Sequence, residues 1–244
     1  MRPPSSELAR VDLAAALLMA ERLGLHEGVC NHFSTKVAGP DQRYLINPMG
    51  RHWAEMRASD LLAVDGAGHV VEGRGMVETT AFHIHAALHR TRPDAIAVLH
   101  THMPYATALS LIDGDGLLPC YQNALRFQGA VAWDEAYGGL ALDDHEGERM
   151  ARAIGTKRIL MLANHGVIVI GRSVAEAFDD LYYFERAAQV QILAMSTGRR
   201  LRLIDPEVAA RTAEAFERDR EAGATYHFEA LKRLLDGEIP GWRV

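Results

Sequence analysis

Two cysteines in 244 residues, Cys30 and Cys120, are too few for a disulfide framework and suit a reducing compartment. Long apolar runs are missing too. The apolar part of "LAAALLMA" (13–20) is far shorter than the twenty or so residues that a spanning helix needs. The opening "MRPPSSELAR" has neither the charged start nor the apolar stretch of a secretory signal. Basic charge is in short supply: 26 Lys and Arg stand against 32 Asp and Glu, for a net charge of −6, and the cations are scattered rather than gathered into stripes. That distribution argues against nucleic acid and against an anionic membrane surface. Repeats and low-complexity segments are absent as well. The expectation is a cytoplasmic protein whose partner is a small molecule.

What is present suffices for one large domain spanning 1–244, because a chain of this length buries a substantial core and nothing in it marks a boundary. Leu8, Val11, Ala15 and Leu18 recur at helical spacing, predicting a helix from about Ser6 to Leu23 with Gly24 as its stop. "HFSTKVA" and "RYLINPM" read as strands joined by the turn "GPDQ", and "VDGAGHVVEG" as a turn feeding another short strand. Gly66 to Gly68 form no dinucleotide fingerprint, because no helix opens after them. "TTAFHIHAALHRTR" predicts a helix ended by Pro93, which forces Arg92 out of the helical region.

"AIAVLHTH" alternates as a strand, "YATALSLI" as a helix, "GAVAWDEA" as a strand, and "EGERMARAI" as a helix closed by Gly155. "RILMLANHGVIVIG" holds two apolar runs meeting at the bend "ANHG". A capping box from Ser173 to Glu176 starts a long helix, and a charged helical tail runs from Pro206 to about Leu235. Hairpin-linked strands among several helices predict an α/β layered domain with a largely antiparallel sheet.

The histidines carry the chemistry. On a strand, residues two apart share a face, so Ile96, Val98, His100 and His102 line up while Ala97, Leu99 and Thr101 face the other way. Two imidazoles at the end of a buried strand can chelate one metal ion; the plainer alternative is a pair of hydrogen-bonded histidines. On the preceding helix His83 and His85 point some 200° apart, by the 3.6-residue period, and cannot share an ion. His85 and His89 share a helical face and are the competitors for a metal. A catalytic site commonly takes three protein ligands. His165, at the bend between two apolar strands, is the candidate third, against a histidine that only satisfies backbone groups in the turn.

"RPDAIAVLHTHMPYATALS" and "LMLANHGVIVIGRSVAEAF", with "CNHFSTKV" and "YLINPMGRHWAEM", resemble the class II aldolase/adducin family, in its adducin-like bacterial subgroup, from about Leu8 to Met195. The resemblance implies a three-layer α/β/α sandwich around a mostly antiparallel sheet. It implies a divalent metal on His100, His102 and His165, with Zn ahead of Mn and Fe. It also implies a homo-oligomer, commonly a tetramer, with active sites at subunit junctions, and it leaves open whether the C-terminal helix lies on a neighbouring subunit. The family's acidic general acid/base falls at Ala81, which cannot move a proton. Glu78 and His83 are the candidates to take that part, although a glutamate at a helix start also suits the dipole.

Phosphate recognition looks weakened, since Cys30 replaces the glycine of the family's Gly-Asn loop. Thr79 and Thr80 stand where paired serines would be, and Asn31, Ser34, Gly50 and Arg51 are the remaining candidates to hold a carboxylate or small polar group. Tyr121, Gln122 and Asn123 fall where relatives place polar residues near the substrate. The leading expectation is a metal-dependent carbon–carbon lyase acting on a small hydroxy- or oxo-acid. Decarboxylation is favoured slightly over retro-aldol cleavage, because it needs no base to take a hydroxyl proton. The alternatives are an aldolase, dehydratase or epimerase of a sugar phosphate, a non-haem iron oxygenase, and a non-catalytic adducin-like scaffold.

Overall fold

The computed structural model describes residues 3–39, 43–114, 116–140 and 143–244. Most of the expected turn "GPDQ" therefore lies outside the described residues. In chain order the elements are α1 (Ser6–Arg22), β1 (His32–Lys36), β2 (Tyr44–Ile46), β3 (Leu62–Val64), β4 (Val70–Glu72), α2 (Thr79–Thr91), β5 (Ala97–Thr101) and α3 (Pro104–Ser110). There follow β6 (Val131–Asp134), α4 (Asp144–Ile154), β7 (Ile159–Leu162), β8 (Gly166–Gly171), α5 (Val174–Met195) and α6 (Pro206–Glu238).

The eight strands form one sheet in the order β4-β3-β2-β1-β5-β8-β7-β6. Every neighbouring pair is antiparallel except β6 with β7, which α4 connects as a crossover. The expected three-layer sandwich with a mostly antiparallel sheet is what the chain adopts. Alternation decides which side chain faces which layer. Ala97 and Leu99 of β5, with Val167 and Val169 of β8, join α1, α3, α5 and α6 in the larger core. Val98, Ile168 and Ile170 point the opposite way, into a core shared with α2 and α4. His100 alternates with Leu99 and so belongs to the α2 side.

The helix limits follow local chemistry. Ser5 caps α1 by accepting from the Leu8 amide, and Arg92, ahead of Pro93, leaves the helical region at φ −119° and ψ 103°. Ser173 accepts from the Glu176 amide. The reciprocal half of that box goes elsewhere, because the Glu176 carboxylate pairs with Arg172 and Arg220. Helix α6 packs on α5 of its own chain, placing Phe228 against Phe178 at 5.7 Å between ring centroids, while Arg220 and Arg158 both reach the buried Asp180. The sequence reading does not anticipate β3, whose three residues are all buried and show no alternation, or the 3-10 turns Trp53–Glu55, Ala58–Asp60 and Gln122–Phe127.

Candidate metal centre

Three imidazoles meet at one end of the sheet. His100 is the penultimate residue of β5, and His102 follows the strand's end, where Pro104 holds Met103 extended and opens α3. Helix α3 lacks a cap from its own N-terminal residue. The buried Glu185 of α5 supplies one by accepting from the amides of Tyr105 (2.9 Å) and Ala106 (2.8 Å). His165 lies at the β7–β8 bend, which Asn164 turns by adopting φ +58°, a conformation that asparagine tolerates. Gly166 permits the bend to touch β5: a Cβ there would stand 2.6 Å from the Thr101 carbonyl oxygen and 2.9 Å from the His102 ring.

The ring centroids of His100, His102 and His165 are 4.9–5.0 Å apart in every pair, and one nitrogen from each lies within 4.8 Å of the other two. The tautomers suit a cation. His100 Nδ1 donates to the Val167 carbonyl at 3.0 Å, leaving a lone pair on Nε2. His102 Nδ1 donates to the Glu27 carboxylate at 2.6 Å, and its Nε2 is buried without a partner among the described residues. A buried lone pair lacking a donor is costly unless something electropositive meets it. A carboxylate behind an imidazole is the common outer-shell support of a metal ligand. Burial, reinforced by the neighbouring rings, holds His100 well below the ordinary histidine range and brings His165 down to about 4. His100 and His165 are thus neutral at ordinary pH, each with a lone pair to offer. The residues present fit a divalent ion.

Asn31 organises the approach to this cluster through its Oδ1, while its buried Nδ2 has no hydrogen-bond partner among the described residues. Its Oδ1 accepts from the Glu27 amide (2.7 Å) and more weakly from the His102 amide (3.4 Å), tying the two ends of the His102–Glu27 pair together. Ser34 must be corrected: it is fully buried beneath α2, and its Oγ lies between His85 and His89 (2.7 Å to His89 Nε2), so no ligand reaches it. Those bonds also account for His85 and His89, which do not form a metal pair.

Glu78 caps α2 by accepting from the Ala81 amide (2.8 Å) and the Thr80 hydroxyl. Burial pushes its carboxyl upward, but these hydrogen bonds outweigh it and hold Glu78 below the usual carboxylate range. It is a weak base, although close enough to His32 to interact electrostatically with it. His83 stands edge-on to Phe82, with ring centroids 5.4 Å apart. Thr79 is exposed, and Ala81 is buried in the α2–β2 core. Gly50 and Arg51 line a separate surface cavity of about 630 Å³, where Arg51 pairs with Asp60. Asn123 donates to the Tyr121 hydroxyl at 3.0 Å.

The sequence reading missed His32 and Glu27. His32 lies opposite His100 in the β1–β5 register, with ring centroids 4.8 Å apart, and the i, i+2 alternation of "HFS" would have placed it beside Ser34 on the α2 face. Glu27 is an exposed loop residue that carries no such signal.

The profile of the class II aldolase and adducin N-terminal domain matches residues 11–192. An aldolase II superfamily protein from Pseudomonas syringae superposes with a TM-score of 0.92 at 36% identity, over 99% of this chain and 97% of that one. L-fuculose 1-phosphate aldolase from Glaciozyma antarctica PI12 gives 0.83 at 27% identity, over 95% and 91%. An adducin-related protein of Schizosaccharomyces pombe is 32% identical over 241 residues, which cover 93% of this chain and 74% of that protein. With its sheet, its helical layers and most of its length accounted for in this way, the chain belongs to the class II aldolase and adducin N-terminal domain family.

Proposed function

We propose that the protein is a divalent-metal-dependent carbon–carbon lyase acting on a small hydroxy- or oxo-acid, with His100, His102 and His165 as the metal ligands. The observation that carries this reading is the buried, unpartnered Nε2 of His102, facing the same space as the free Nε2 of His100. A divalent ion there supplies Lewis-acid polarisation of a substrate carbonyl. Glu27 and Asn31 fix His102, Val167 fixes the tautomer of His100, and Glu185 anchors the helix start that follows.

Decarboxylation remains the favoured reaction. The bond between the carboxylate carbon and its neighbour breaks, carbon dioxide leaves, and the electron pair left on that neighbour is taken up by the carbonyl attached to it, as in a 3-oxo-acid, before a proton from solvent returns to the same carbon. Ala81 offers no group for taking a hydroxyl proton, and Glu78 is committed to capping α2. The likeness to L-fuculose 1-phosphate aldolase supports retro-aldol cleavage of a sugar phosphate as the second reading. Against it stands Arg51, which is already paired with Asp60 instead of being held free for a phosphate.

The test is metal analysis of the protein and of His102→Ala, purified without added ions and then titrated with Zn²⁺. The wild type should bind one ion per chain, and the variant should bind at least ~1,000-fold more weakly, more than the 10–100-fold loss typical of an outer-shell change. Oxygen-free mixtures with hydroxy- and oxo-acids should release carbon dioxide only with the metal-loaded wild type. Two carbonyl fragments in its place would move the assignment to the aldolase, oxygen consumption would move it to an oxygenase, and a wild type with no metal affinity would leave a scaffold.

A further inference from the structure

Beneath α2 a line of polar side chains leads away from the three histidines. His32 and Ser34 project from β1 on the same face as His100, and His85 and His89 project from α2 to meet them. All four are buried. His89 Nδ1 lies 2.8 Å from the Ala95 carbonyl, His89 Nε2 is 2.7 Å from Ser34 Oγ, Ser34 Oγ bonds His85 Nδ1, and His85 Nε2 is 2.7 Å from His32 Nδ1.

The direction of every bond in this chain is forced from one end. A carbonyl oxygen only accepts, so His89 Nδ1 carries a proton. A neutral imidazole carries one proton, so His89 Nε2 is an acceptor and the Ser34 hydroxyl donates to it. The single hydroxyl proton being used, Ser34 accepts from His85 Nδ1–H. His85 Nε2 is then a lone pair, and His32 Nδ1 donates to it. What remains is His32 Nε2, a lone pair at the edge of the ring away from Nδ1. No hydrogen bond among the described residues reaches it. The same ring packs against His100 at 4.8 Å and interacts electrostatically with His102 and His165. Burial supports the neutral state assumed at each step, bringing His89 down to about 3 and His85 well below the histidine range.

We propose that His32 is a specificity-determining residue: the His89–Ser34–His85 chain presents its Nε2 as a fixed acceptor beside the triad, selecting substrates whose hydroxyl donates to it. The assignment rests on the metal-centre reading above and sharpens it to hydroxy-acids over plain oxo-acids. An acceptor locked by a buried chain cannot turn into a donor when an oxo group arrives, so a ligand without a hydroxyl leaves the lone pair unpaired. One hydrogen bond of this kind is worth on the order of a tenfold preference.

The probes are glycolate and methoxyacetate, which present the same carboxylate and neighbouring oxygen but carry a proton or a methyl group on that oxygen, titrated into the zinc-loaded protein. The wild type should bind glycolate about tenfold more tightly. His89→Leu removes the carbonyl-anchored end of the chain without touching the site, after which either direction satisfies Ser34 and His85. The preference should then fall to about threefold or less. His32→Ala should lose the preference while keeping its zinc affinity within a few-fold.

Imidazole nitrogen NMR of the wild type reads the tautomer directly and requires no variant to fold. It should show His32 protonated at Nδ1 and bare at Nε2. A proton on Nε2, an unchanged preference in His89→Leu, or a zinc affinity that falls more than 100-fold in His32→Ala, as for a fourth ligand, would each overturn the inference. A wild type that binds no zinc would instead defeat the metal reading, with the nitrogen spectrum still deciding the direction of the chain.

Discussion

His85 of α2 and His100 of β5 are both buried where a helical layer meets the sheet, yet they stand in opposite situations. Both nitrogens of His85 are engaged, one by Ser34 and the other by His32, and His89 likewise spans Ser34 and the Ala95 carbonyl. His100 and His102 each have one nitrogen tied back, to Val167 and to Glu27, and one left over. Burial alone therefore does not make an imidazole a ligand. A ligand needs one nitrogen held by the protein, which sets the tautomer, and one lone pair that the protein leaves without a donor.

The comparison breaks if the two sets of rings respond alike to replacement. His85→Leu removes a ring with two buried partners, and the orphaned His32 Nδ1–H adds its desolvation cost to the lost packing, so stability should fall by about 3 kcal/mol. Urea unfolding of the metal-free chain measures this, and zinc affinity should change by no more than a few-fold. A large loss of zinc with little loss of stability would mean that His85 belongs with the triad.

Acid sharpens the same contrast. Burial, with Lys36 adding to it and the bond to Ala95 opposing it, brings His89 from an ordinary 6.5 to about 3 in the folded chain. Between those values the unfolded chain takes up the proton and the folded chain does not. The stability due to this ring is full above about pH 6.5 and is lost as the pH falls toward 3, at about 1.4 kcal/mol per pH unit. Moving from pH 7 to pH 5 should therefore cost about 2 kcal/mol through His89. The metal-free wild type compared with His89→Leu isolates that share, and equal slopes for the two would refute it.

Where alternation, capping or proline fixes a residue locally, the sequence was enough. Pro93 and Gly24 mark the ends of α2 and α1, the spacing in "AIAVLHTH" places His100 on one face of β5, and "ANHG" locates the bend that carries His165. The polar line beneath α2 was hidden because its members come from separate elements. His85 and His89 announce a shared helical face, but Ser34, which satisfies both, lies more than fifty positions earlier in the chain. Ser34 was read as a substrate contact for the same reason: a hydroxyl on a strand carries no mark in the sequence of which layer covers it. Glu78 carries the reverse lesson, since the helix-start position that made it a candidate base is what occupies its carboxylate.

The finest distinction concerns Glu27, which touches His102 from the solvent side. Its carboxylate is largely exposed, so as an ion pair it adds little to stability. Its effect is on the ligand: by accepting from Nδ1–H it keeps the His102 lone pair on Nε2 and makes that nitrogen more basic. Glu27→Gln retains an acceptor of the same shape and loses the charge, so zinc affinity should fall by about tenfold while urea stability of the metal-free chain stays within about 0.5 kcal/mol. Glu27→Leu removes the acceptor as well and should fall further in affinity, again with little change in stability. Equal zinc affinity in all three proteins would show that the His102 tautomer is fixed by something other than Glu27, and the rule drawn from comparing the two sets of rings would then lose its clearest case.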